Sequence, residues 1–165
     1  MLNYSEAARW FSMAAEQGLA DAQTNLGVLY QNGLGVERDL SEAGRLYRSA
    51  AEQGHIQAQT NLGVLFLQGV GVRQDCAEAL KWFRLAASSG SYRSQSNLGL
   101  MHEQGLGVPI DLATAYMWFS IATAFGDDRA ATDMKRLAAG MTAEDVSEAD
   151  ERAEMCMASG LARCW

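Results

Sequence analysis

Three stretches of the chain, 21–55, 57–91 and 93–127, align with one another at a strict 36-residue offset without an insertion. Glycines hold the register: Gly27, Gly63 and Gly99; Gly33, Gly69 and Gly105; Gly35, Gly71 and Gly107; and Gly18, Gly54, Gly90 and Gly126. A fixed period of this length describes a solenoid, in which each unit buries its apolar face against its neighbours rather than around one shared centre. Activity in such an array belongs to a long surface, so the repeat points to binding and leaves the ligand unnamed.

Each unit reads as a helical hairpin. In the first, Ala22, Leu26, Leu29 and Tyr30 recur at helical spacing, followed by Leu40, Ala43, Tyr47, Ala50 and Ala51. Between the two lies Gly-x-Gly-Val-x-x-Asp, repeated as Gly33–Asp39, Gly69–Asp75 and Gly105–Asp111. The first glycine can close a helix in the left-handed conformation, and the aspartates are placed to cap the next helix. Val36, Val72 and Val108 are expected to plug the turn. Gly27, Gly63 and Gly99 fall inside the first helix, where glycine costs about 1 kcal/mol relative to alanine. Close approach of the second helix explains them, and Ala43, Ala50, Ala79, Ala86, Ala115 and Ala122 are expected to face them.

The ends depart from the pattern. A shift of one period places Asn3 opposite Asp39, Trp10 opposite Leu46 and Phe11 opposite Tyr47, so residues 1–18 form a half repeat that opens on a second helix. One side of that helix is expected to be uncovered, either as the edge of a longer array or as a self-association surface. Beyond 127 the pattern continues over Arg129–Ala139, but Lys135 stands in the slot of Gly27, Gly63 and Gly99. Thr142 and Asp145 then form an expected capping box for a last helix reaching about Ser159. Its acidic face, Glu144 to Glu154, suits a solubilising cap better than a docking site. The expected domain is therefore a single one, 1–165, with residues 128–165 as its C-terminal cap.

The chain carries 13 Lys plus Arg against 20 Asp plus Glu, a net charge of -7 with no basic cluster, which argues against nucleic acid as a partner. No apolar run is long enough for a membrane span, and Met1 to Gln17 lacks the pattern of a signal peptide. The three cysteines are too few for a disulfide framework. A Cys156–Cys164 bridge requires the chain to fold back at Gly160, because a continuous helix would hold them about 12 Å apart; free buried thiols are the alternative.

The pattern A-x-x-x-L-G-x-x-[YF]-x-x-G-x-G-V-x-x-D-x-x-x-A-x-x-[WY]-[FY]-x-x-A-A-x-x-G resembles the Sel-one-like repeat, a relative of the tetratricopeptide repeat. It is carried here by Leu62, Gly63, Phe66, Gly69, Gly71, Val72, Asp75, Ala79, Trp82, Phe83, Ala86, Ala87 and Gly90. The resemblance implies an all-α, right-handed α-solenoid whose first helices line a concave groove. It also implies a non-enzymatic adaptor for a protein or peptide partner, in the cytoplasm or periplasm of a bacterium. Gly44 and Leu46 depart from the pattern, standing where other units have Leu80 or Tyr116 and Trp82 or Trp118.

Asn25, Asn61 and Asn97 recur on the face opposite Ala22 and Leu26, preceded by Thr24, Thr60 and Ser96. In related tetratricopeptide arrays an asparagine here lines the groove and bonds a ligand's backbone. An amide both donates and accepts, so three in register can hold an extended peptide with little regard to its sequence; bonding to a neighbouring helix is the alternative. Gln31 and Gln68 are further candidates. His102, in the Tyr30 and Phe66 position, reads as a half-buried aromatic substitute and His55 as a surface residue. Trp10, Trp82 and Trp118 read as packing anchors. No catalytic, metal or cofactor constellation is expected: Gly33-Leu34-Gly35 follows a helix and lacks a phosphate-loop ending. A cell-wall hydrolase is therefore only a remote alternative.

Overall fold

The structure, a computed structural model, describes residues 3–162 and 164. Trp165, whose position falls outside the repeat register, is outside the described residues. Among these residues there are nine α-helices and no strand: α1 (Tyr4–Glu16), α2 (Ala20–Asn32), α3 (Leu40–Glu52), α4 (Ile56–Gln68), α5 (Cys76–Ser88), α6 (Tyr92–Gln104), α7 (Leu112–Ala124), α8 (Asp128–Ala138) and α9 (Ala143–Ala158). The fold is an all-α solenoid of helical repeats. None of these helices is long and apolar enough to cross a membrane. The chain divides into two compact units, Met1–Trp82 and Phe83–Trp165, described here as unit 1 and unit 2.

The caps follow the local chemistry. Asp39 accepts from the amides of Ser41 and Glu42, Asp75 from those of Ala77 and Glu78, and Asp111 from that of Thr114. Asn3 does the same for Glu6, so α1 begins as a second helix of the repeat begins. Thr142 and Asp145 form the reciprocal capping box of α9. In the turns, Gly33 and Gly35 have φ of 66° and 72°, a region that costs side-chain-bearing residues energy. Gly35 also has no room for a side chain, since a Cβ would strike the backbone of Tyr4 and Ser5; Gly71 lies in the same way on the Leu40 carbonyl. The turn glycines thus join each hairpin to the start of the preceding second helix within unit 1.

Gly27 and Gly99, two of the mid-helix glycines, are sites of close approach in which the nearest atoms belong to a ring and not to an alanine. A Cβ on Gly27 would lie 2.6 Å from Tyr47 Cε1, and one on Gly99 would lie 2.7 Å from Phe119 Cε1. An aromatic ring, flat and rigid, therefore occupies the space that the glycine vacates. Ala43, Ala50, Ala79, Ala86, Ala115 and Ala122 are fully buried as packing residues in their own right. Lys135, in the same slot of α8, is exposed.

Trp10 is 60% exposed, whereas Leu46, Trp82 and Trp118 at the same register position are 3%, 5% and 1% exposed. The packing-anchor expectation is thus corrected for Trp10: the described residues leave most of its surface uncovered. Its neighbours on α1, Ala8, Phe11 and Ala15, do pack, joining Leu26, Leu29 and Leu46 in one apolar cluster.

At the other end α9 is tied to α7. Tyr116 and Ser120 donate to Asp150, and Arg152 donates to Thr114 Oγ1 at 3.0 Å. The acidic helix is therefore partly structural. After Ser159 the chain reverses at Gly160 and Leu161, with φ of 63° and 68°, and Leu161 is buried despite the strain such a φ imposes. The reversal brings Cys156 and Cys164 together as a disulfide, Cα to Cα 5.0 Å, while Cys76 is a free thiol.

Candidate functional site

Asn25, Asn61 and Asn97 occupy the same position on α2, α4 and α6, three residues after a buried alanine or serine and one before a buried leucine. That spacing turns them off the core. Asn25 is exposed, and Asn61 and Asn97 are half-buried. In unit 1 Asn61 bonds the Tyr47 phenol, which also donates to Gln31 Oε1 at 2.6 Å. Burial pushes the Tyr47 pKa up to about 12, against the Asn61 hydrogen bond. Gln31, Tyr47 and Asn61 thus form a neutral polar cluster. Gln68 is exposed at the end of α4.

The threonines beside Asn25 and Asn61 are not on that surface. Thr24 and Thr60 are buried, each donating to the carbonyl four residues back, Ala20 at 2.8 Å and Ile56 at 3.0 Å. Ser96 is half-buried and donates to Asp127 Oδ2 at 2.6 Å. Thr24 and Thr60 are corrected as groove residues. Their positions point inward, where hydroxyls satisfy helix backbone and the caps of the following repeat.

His55, expected at the surface, is a junction instead. Its Nδ1 caps α4 by accepting from Ala58 N–H at 3.2 Å, which leaves Nε2 to donate to Asp21 Oδ1 at 2.9 Å. Thr24 Oγ1 lies 3.0 Å from Nδ1. The trio has the order of a hydroxyl, a base and an orienting acid. As nucleophile machinery it is blocked: the threonine is buried with its proton on Ala20, and the base nitrogen already faces an amide proton. The signal that could have found this tie was its recurrence, since Thr24–His55 and Ser96–Asp127 are separated by the same 31 residues.

An open depression of about 450 Å³ adjoins Asn25 between α1, α2 and the α3–α4 turn, lined by Phe11, Ala14 and Ala22 and by Asp21, Gln53 and His55.

Unit 2 places charges where unit 1 has amides. Glu103 and Asp133 stand two periods after Gln31 and Asn61, and Arg136 bridges them, with bonds of 2.6 and 3.0 Å to Glu103 and 3.1 Å to Asp133. Deeper in the unit His102 is half-buried as expected, with its Nδ1 lacking a hydrogen-bond partner among the described residues. Burial lowers its pKa, Arg84 and Arg152 lower it further, and Asp111 opposes them. Burial works to raise the Asp111 pKa, but hydrogen bonds from Thr114 and the charges of Arg152 and His102 hold it below its ordinary value.

The Sel1 repeat family profile matches residues 2–19, 20–55, 56–91 and 93–126. Among solved structures, a Sel1 repeat protein from Oxalobacter formigenes is 39% identical with a TM-score of 0.75, over 80% of this chain and 54% of that one. The antigen c5321 of uropathogenic Escherichia coli, described as a protective antigen displaying an SLR fold, is 43% identical with a TM-score of 0.72, over 74% of this chain and 26% of that one. The chain thus spans about half and about a quarter of these two relatives. No curated protein matches it. With the repeat glycines, the caps and four consecutive matched segments in agreement, the chain belongs to the Sel1 repeat family.

Proposed function

We propose that this chain is a non-enzymatic adaptor that holds an extended peptide or protein segment against its first helices. Asn25 and Asn61 of unit 1, and Asn97 at the same register position of unit 2, supply amides that pair with the segment's backbone. Sel1 repeat proteins serve generally as protein-interaction scaffolds, which supports the class. The observation that carries the finer reading is the recurrence of an amide off the core side of α2, α4 and α6, while Thr24 and Thr60 beside the first two turn inward. Such a group can accept from one peptide N–H and donate to the next carbonyl. Gln31 and Gln68 flank the same face at lower weight.

The test is to pan a random peptide library against the protein and measure the selected peptides by fluorescence anisotropy. Wild type is compared with Asn25→Ala/Asn61→Ala/Asn97→Ala after circular dichroism has shown equal folding. Loss of three amide contacts is expected to weaken binding at least about tenfold. Equal affinity in the triple variant would refute the role of the amides.

A second reading rests on Trp10. A largely exposed tryptophan, with Met13 also exposed one turn further along α1, forms an apolar face that a second copy could cover. Sedimentation equilibrium decides it: association abolished by Trp10→Glu supports the reading, and a monomer at millimolar concentration removes it.

A further inference from the structure

We propose that the depression between α1 and α2 is an anchor site, taking one large apolar side chain of a bound segment whose neighbouring residue is basic. This rests on the reading of Asn25 as a backbone-binding amide.

The first support comes from the repeat register. Ala20 lines the depression, whereas Ile56 and Tyr92 occupy the same position in the next two repeats. The first repeat therefore has a small residue where its successors carry a large one, beside the apolar lining supplied by Phe11, Ala14 and Ala22. At about 450 Å³ the space lies at the lower end of ligand clefts, enough for a leucine or phenylalanine side chain and its backbone.

Charge supplies the second support. Asp21 is the one carboxylate among the lining residues, and no lysine or arginine is among them. Its side chain is 90% exposed, yet Oδ1 is held by His55 Nε2, so the group is oriented before any cation arrives. Asp21 and Asn25 are four residues apart on one helix and so lie on the same face. An occupant that fills the apolar floor, bonds Asn25 through its backbone and presents ammonium or guanidinium to Asp21 meets all three features. An acidic occupant would meet Asp21 on a chain whose net charge is already -7.

Three capped dipeptides test this by titration of the 15N-labelled protein: N-acetyl-Leu-Lys-amide, N-acetyl-Leu-Glu-amide and N-acetyl-Gly-Lys-amide. Leu-Lys is expected to give saturating shifts at the Asn25 side-chain amide and at the Gly54 and His55 backbone, and to bind more tightly than the other two. Ala20→Tyr introduces the residue already present at position 92 and is expected to weaken Leu-Lys about tenfold or more by excluding the leucine. Asp21→Gln, the residue at position 57, is expected to erase the preference for lysine over glutamate. Saturating shifts unchanged by Ala20→Tyr, or no saturation at these residues, would overturn the proposal. If dipeptides fail while longer peptides still lose affinity in the triple asparagine variant, the anchor falls and the backbone reading stands. Binding that responds to Ala20→Tyr but not to the asparagines leaves the anchor and removes the backbone reading.

Discussion

The polar cluster of unit 1 and its counterpart in unit 2 use the same slots for opposite ends. Gln31, Tyr47, Asn61 and Val64 in unit 1 correspond to Glu103, Phe119, Asp133 and Arg136 in unit 2. In the first, a phenol joins two neutral amides. In the second the hydroxyl is gone, both amides have become carboxylates, and a guanidinium that Val64 cannot supply closes the gap between them. Beneath both, the contact of ring on glycine is unchanged: Tyr47 on Gly27 and Phe119 on Gly99. The repeat thus holds its scaffold constant and varies the layer above it, which is where a binding preference can be written.

The scaffold half of this comparison is the most damaging to break. Gly27→Leu and Gly99→Leu are each expected to destabilise by about 3 kcal/mol or more, since a Cβ alone would intrude on the ring. Thermal melts check this, and a wild-type melting temperature in either variant would show that ring and glycine do not support one another. Tyr47→Phe gives unit 1 the bare ring of unit 2. It leaves Gln31 Oε1 and the Asn61 amide without their shared partner, a loss of about 1 kcal/mol in urea unfolding.

Three further effects belong to unit 2. His102 has a lowered pKa, so the fold favours its neutral form; its contribution is present above the ordinary value of 6.5 and is lost as pH falls below it. Asp111, also lowered, contributes above 3.8 and fails only at lower pH. His102→Phe installs the residue found at Phe66 and removes the orphan Nδ1. Stability is expected to rise by about 1 kcal/mol at neutral pH and to decline less between pH 7 and 5 than in wild type. Parallel curves over that range would contradict the assignment. Arg136→Ala should lower the melting temperature slightly, with the difference shrinking as salt is added, because its ion pairs are on the surface.

Much of the fold was legible because period and turn chemistry repeat in the residues themselves. The caps at Asp39, Asp75 and Asp111, the capping box at Thr142 and the uncovered side of α1 follow from position alone. Periodicity locates a face but not the atom that fills a gap, so it points to the alanines where Tyr47 and Phe119 stand. The same limit explains Thr24 and Thr60. Adjacent helix positions differ by about a quarter turn, enough to place Asn25 in solvent and Thr24 in the core. His55 was missed because its partners are 31 and 34 residues away and its role is a cap, which serine and aspartate fill in the other repeats.

The central claim is that the amides of the first helices, and not the ion-paired slot of unit 2, receive the bound segment. The most direct measurement follows the side-chain NH2 signals of Asn25, Asn61 and Asn97 and the guanidinium signals of Arg136 by NMR while a selected peptide is added. The account predicts saturating shifts at Asn25 and Asn61 with Arg136 unmoved. Shifts confined to Arg136, the acidic face of α9 or the Trp10 side of α1, with the asparagines unchanged, would contradict it.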